Sequence, residues 1–178
     1  VFLVPALTMR SISEEKKSGM LALLFTKPVS TLQMVLGKYL GILFLLFVIL
    51  LPSALYVYMV WVLGNPVGNL DIAGTVGSYI ALFLLVATFA SVGLWASSIS
   101  SNQIISFVLA AFLCFFFFFG IDQLIALVAP EDFGGVGFQT HFDAISRGVL
   151  DTRNIVYFLS VISFFIYLTT LSLKAYKR

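Results

Sequence analysis

The sequence predicts an all-α, polytopic membrane protein, and three observations carry that expectation. Of 178 residues, 61% belong to the set AVILMFWYC and only 10% are charged, whereas a soluble domain averages about a quarter charged residues. The mean hydropathy is +1.09. The apolar residues also fall in long runs, and a helix needs about 20 of them to cross a bilayer. Some 61% of the chain therefore furnishes about five spans' worth of residues, which leaves no room for a soluble catalytic domain.

Taken in order, the first apolar run is Val1–Met9, shorter than a span and without the basic n-region and small-residue cleavage site of a signal peptide. It is expected to be the end of a truncated span. A charged segment, 10–38, follows. Full spans are expected at about 39–63, 79–98, 104–129 and 155–173. Between them lie a Gly/Asn loop over 64–78, a tight connection at 99–103 and a longer loop over 130–154. In that last loop Phe142, Ile145 and Val149 share one helical face, and Asp143 and Arg147 stand four apart on another. A short amphipathic helix at the membrane surface is expected there. The chain is thus one transmembrane domain, 1–178.

Charge orients these spans. Arg10, Lys16, Lys17, Lys27 and Lys38 lie in the first connection and Lys174, Lys177 and Arg178 at the C-terminus, while the other two long loops hold only Arg147 and Arg153. An even number of crossings separates the two basic groups. The positive-inside rule then places segment 10–38, the connection 99–103 and the C-terminus in the cytoplasm, and the protein is expected in the plasma (inner) membrane. Asp71, Glu131, Asp132, Asp143 and Asp151 all fall outside, Trp61 and Tyr79 suit the outer aromatic belt, and Tyr39, Trp95 and Tyr176 suit the inner one. A net charge of +2 with the basic residues at span ends argues against a nucleic-acid partner. The single cysteine, Cys114, excludes a disulfide framework.

Segment 10–38 reads as helix, break, short apolar helix, break, helix. Gly19 is a C-terminal stop, Pro28 prevents continuation, and Ser30 with Gln33 fits a capping box that opens the next span. Met20–Phe25 is therefore a short apolar piece between charged flanks, too short to cross the membrane and costly to leave in water. Either a partner surface covers it or it lies in the headgroup region; the residues alone leave both open.

The string Met9-Arg10-Ser-Ile-Ser-Glu-Glu-Lys-Lys-Ser-Gly19, with Leu23-Leu24-Phe25-Thr26-Lys27-Pro28-Val29-Ser30 and Val35-Leu36-Gly37-Lys38, resembles the cytoplasmic loop of type-2 ABC exporter permeases. The gliding-motility-associated subgroup is the most similar. His141-Phe142, Ser146-Arg147-Gly148-Val149, Tyr157-Phe158-Leu159 and the basic tail resemble that family's ending. The resemblance implies a six-span subunit, with the first span and part of the second missing from this chain, and a coupling helix that docks on a separate ABC ATPase subunit. It implies ATP and Mg²⁺ on that partner and no cofactor on this chain. A second permease chain, the same or related, completes the transporter.

Position by position, the resemblance makes Glu14 and Glu15 the paired acids before the coupling element, Gly19 its start, Leu23 and Leu24 its apolar face and Pro28 its end. Leu21 and Thr26 complete the coupling set. Two positions depart: Met20 stands where the pattern usually has Thr, and Ala22 where it usually has Glu. Both changes make docking more purely apolar. The implied function is a non-catalytic permease subunit coupling a partner's ATP hydrolysis to transport, with a link to gliding motility; the alternative is a non-transporting membrane anchor or force-transmitting component of a surface machine.

Other residues carry weaker signals. Gly37 with Gly41, and Ala87 with Ser91, have the small-residue spacing that lets helices approach closely, within the chain or between subunits. Asp122 is the only charged residue inside a span, about 27 Å along a helix counted from Ile104, and is a candidate substrate-path residue. Phe115–Phe119 is an aromatic run suited to packing or to lipid. No nucleotide-binding, metalloprotease or nucleophile-elbow motif occurs, and His141 alone makes no metal site.

Overall fold

A computed structural model describes residues 1–26, 28–65, 68, 70–128, 137–148 and 151–177, with the side chains of 126, 128 and 177 excepted. Lys27, Glu131, Asp132, Val149 and Arg178, which contribute to the charge and amphipathic patterns above, lie outside the described residues. Among those described, regular structure is entirely helical. The helices are α1 (Leu3–Thr8), α2 (Arg10–Lys17), α3 (Met20–Leu24), α4 (Thr31–Leu50), α5 (Ser53–Leu63), α6 (Ile72–Ile99), α7 (Gln103–Phe115), α8 (Ile121–Val128), α9 (Phe138–Ser146) and α10 (Thr152–Lys177). A π-helical turn, Phe116–Gly120, joins α7 to α8. The chain is an all-α polytopic membrane protein.

Stretches long and apolar enough to cross a membrane are Thr31–Leu63, Ile72–Ile99, Gln103–Ile125 and Thr152–Tyr176. The first three begin ahead of their apolar windows because polar caps, not hydropathy, start them. Ser30 and Gln33 form the reciprocal cap, with Gln33 N donating to Ser30 Oγ at 3.3 Å and Ser30 N to Gln33 Oε1 at 3.1 Å. Asp71 accepts from Gly74 N at 3.1 Å and Asn102 from Ile104 N at 3.0 Å. Each side chain satisfies a donor that the first helical turn leaves without a partner.

The first of these spans is broken at Leu51-Pro52, between α4 and α5. Proline supplies no N–H and crowds the preceding turn. Ser53 Oγ donates to Leu50 O at 2.6 Å, covering a carbonyl beside the break.

Helix α6 is the centre of the bundle and packs against α1, α2, α4, α7, α9 and α10. Its buried face is rich in small residues, among them Gly77, Ala81, Ala87, Ala90, Ser91, Gly93, Ala96, Ser97 and Ser98, which let neighbouring backbones come close. A Cβ added to Gly93 would stand 2.8 Å from Thr8 Cβ, and one added to Gly77 2.9 Å from Gly148 Cα. Ala87 and Ser91 thus serve packing within the chain.

One aromatic expectation is corrected. Tyr39, assigned to the inner membrane interface, is buried in the bundle, where its hydroxyl donates to Ala87 O at 3.1 Å; a phenol in a core must find an acceptor. The phenylalanine run is divided by the π-helical turn. Phe117 and Phe118 point inward, with ring centroids 5.7 Å from Phe138 and 6.3 Å from Phe89 respectively, while Phe115 and Phe119 are exposed.

Candidate functional site at the basic end of the bundle

The short N-terminal helices meet the starts and ends of the long ones at one end of the bundle, where Lys16, Lys38 and Tyr176 come together. The chain path there is set by the Ser97 hydroxyl. It accepts from Ile12 N and Ser13 N, each at 3.0 Å, and donates to Met9 O at 3.1 Å. Ser13 Oγ also donates to Met9 O. The first turn of α2 is therefore capped by a side chain of α6, and Ile12, Ser13 and Ser97 are all fully buried. Lys16 Nζ and Ser172 Oγ both donate to Ser98 O, and the Lys16 ammonium lies 5.0 Å from the centroid of the Tyr176 ring. Partial burial pulls the Lys16 pKa below its ordinary value, since removing water penalises the charged form.

Lys38, at the start of α4, donates to Ser11 O at 2.7 Å and pairs with Glu15 Oε1 at 2.5 Å. Glu15 Oε2 is buried and without a partner among the described residues. Of the two acids singled out from sequence, then, Glu15 is turned into the bundle and Glu14 is exposed.

Gly19 leaves α2 in the left-handed region, φ 72°, which glycine adopts at no steric cost. The Thr26 hydroxyl donates to Leu23 O at 2.7 Å and closes α3, and Pro28 lies exposed just beyond. Within this single turn the helical period divides the apolar residues. Leu21 is fully buried and Leu24 half-buried. Met20 and Leu23, three residues apart, stand 51% and 68% exposed, with Val29 close behind at 52%. Leu21 anchors the helix to the chain and Leu23 faces away from it. Met20 and Val29 were missed as outward positions; the Met20/Leu23 spacing was the available signal, and a flexible methionine is a good anchor for an irregular surface.

The far end of the bundle holds the second candidate. Thr140 Oγ1 donates to Asp122 Oδ1 at 3.3 Å, the carboxylate lies against Gly137, and Oδ2 is buried without a partner among the described residues. An open cleft of about 440 Å³ is lined by Asp122, Gln139, Thr140, Asp143, Ala144 and Arg147. Asp143 and Arg147 do not pair despite their spacing; among the described residues the single ion pair is Lys38–Glu15. Helix α9 turns Ile145 and Phe142 toward the bundle, as an amphipathic helix should. His141 Nδ1 meets Asn154 Oδ1 at 2.7 Å and its ring stacks on Tyr157 at 4.1 Å. Among the described residues no cluster of His, Cys, Asp and Glu is suited to a metal ion. Gly37 and Gly41 face outward with open space above them, so that small-residue face packs against nothing among the described residues.

A bundle of apolar spans with a one-turn apolar helix presented at its basic end defines a polytopic membrane protein. Residues 2–177 match the ABC-2 family transporter protein domain, and the chain belongs to that family. It is the membrane-spanning permease component of an ABC transporter, a class generally non-catalytic that associates with an ABC ATPase subunit. No curated protein and no solved structure matches the chain.

Proposed function

We propose that this chain couples ATP hydrolysis on a separate ATPase subunit to export across the plasma membrane, and that α3 is the element the ATPase grips. The observation that carries this reading is the division of α3: Leu21 is buried while Met20 and Leu23 stand 51% and 68% exposed, with Glu14 exposed on the preceding helix. A few buried apolar anchors flanked by charge is how a small interface gains both affinity and orientation. ATP and Mg²⁺ belong to the partner, the basic end faces the cytoplasm, and a second permease chain, identical or related, completes the assembly. The strings Met9–Gly19 and Leu23–Ser30 favour the gliding-motility branch of the family. Asp122, with its cleft between α8 and α9, belongs to the substrate path.

The test is purification of the complete protein from its native membrane in mild detergent, alone and as Met20→Asp/Leu23→Asp. A stoichiometric P-loop ATPase bound to the wild type and lost from the variant, with thermal stability unchanged, is the expected result. An ATPase retained by the variant would place docking elsewhere.

A further inference from the structure

We propose that α6 is the rod that carries motion from the docking element to the far end of the protein, with Ser97 as its inner joint and Gly77 as its outer one. This rests on the reading of α3 as the docking element. The inner joint is a hydroxyl that stands in for backbone. Ser97 Oγ takes the amide protons of Ile12 and Ser13, each at 3.0 Å, and gives its own to Met9 O at 3.1 Å. Ile12, Ser13 and Ser97 are fully buried, so α2 cannot tilt away from α6 without leaving two amides unsatisfied in a dry site. The alternative link, to α4, runs through the single Lys38 side chain, which donates to Ser11 O at 2.7 Å and pairs with Glu15 Oε1 at 2.5 Å; it hangs on one flexible four-carbon stem and engages no backbone amide of α2.

The rod itself is unbroken. Helix α6 runs 28 residues, about 42 Å, with no proline or π-turn, whereas α4–α5 breaks at Pro52 and α7–α8 is interrupted by the π-helical turn. Helix α10 is also continuous, but its hydrogen bond at this end, from Ser172, goes to Ser98 of α6 and not to α2. At the outer joint, contact is backbone on backbone. A Cβ on Gly77 would stand 2.9 Å from Gly148 Cα and 3.0 Å from Gly148 N, and Ser78 Oγ donates to Ser146 O at 3.2 Å. Helix α9 therefore rides on α6 and carries one wall of the Asp122 cleft with it. Packed helices shift as units of an ångström or two, and a shift of α6 reaches that cleft directly.

The experiment uses the complete transporter with its ATPase subunit in nanodiscs, in a Cys114→Ala background, with spin labels on the exposed positions Gln139 and Val62. The inter-label distance is compared without nucleotide and with ATP plus vanadate. The expected result is a distance change in the otherwise unaltered protein that is lost in Ser97→Ala, kept in Ser97→Thr, and kept in Lys38→Gln and Ser172→Ala, while the ATPase stays bound in all of them. Gly77→Ala, which disturbs only the outer joint, should also lose the change. A full change in Ser97→Ala, or none in the protein with Ser97 and Gly77 intact, overturns the rod. Absence of bound ATPase before any substitution is made is a separate outcome, and overturns the docking reading instead.

Discussion

Two spans of this protein, α6 and α4–α5, are alike in composition class and opposite in placement. The most apolar stretch of Ile72–Ile99 is 67% buried within the chain, that of Thr31–Leu63 only 6%, although the second has the higher mean hydropathy, 2.6 against 2.1. Hydropathy thus ranks them the wrong way round for centrality. In a membrane the lipid is as apolar as leucine, and what draws helices together is close packing. Helix α6 offers glycine, alanine, serine and threonine on its packed face, while α4–α5 offers Phe44, Phe47, Leu55 and Tyr56, all exposed.

Paired substitutions break or sharpen this contrast, each read as unfolding free energy in mild detergent. The largest difference is expected between Phe89→Ala, which empties a fully packed site and costs about 4 kcal/mol, and Phe44→Ala, 70% exposed in the structure and costing no more than about 0.5 kcal/mol. Equal losses at the two positions would place α4 inside the bundle. Next, Gly93→Val drives a side chain into Thr8 and should cost about 3 kcal/mol. Gly41→Val meets open space and should leave stability within about 0.5 kcal/mol; loss of a second permease chain from that variant would assign the exposed glycine face to a subunit contact. Ser97→Ala should cost about 2 kcal/mol, from two buried amides left without an acceptor. Smallest of all is Pro52→Ala, which lets α4 run into α5 at an exposed proline, beside the 2.9 Å contact between the Ser53 and Tyr79 hydroxyls; a change above about 1 kcal/mol would show that the break itself is held by neighbours.

Much of the architecture was legible because it is local. The spans follow from apolar runs, and their starts from polar residues next to them: Ser30 with Gln33, Asp71 and Asn102 act on amides two or three positions away. Gly19 marks the turn between α2 and α3 for the same reason. What sequence could not supply is long-range. Ser97 caps a helix 85 residues earlier, and Glu15 pairs with Lys38, 23 residues on, rather than with the lysines beside it. The position of Tyr39 in the core depended on which helix would supply a carbonyl to it. At the candidate site, the identity of the short apolar helix was readable but its outward face was not; the burial of Leu21 depends on what the rest of the chain places beneath it. The π-helical turn in Phe116–Gly120 has no signature within its four phenylalanines, and only Gly120 at its end marks a weak point in the helix.

The central claim is that the exposed face of α3 contacts an ATPase, and a photo-crosslinking amino acid placed at Leu23 tests it most directly. In membranes carrying the complete protein, irradiation should join position 23 to a P-loop ATPase, and the same group at the buried position Leu21 should yield only contacts within the chain. Cross-links from position 23 to lipid alone, with the ATPase present and active, would contradict the account.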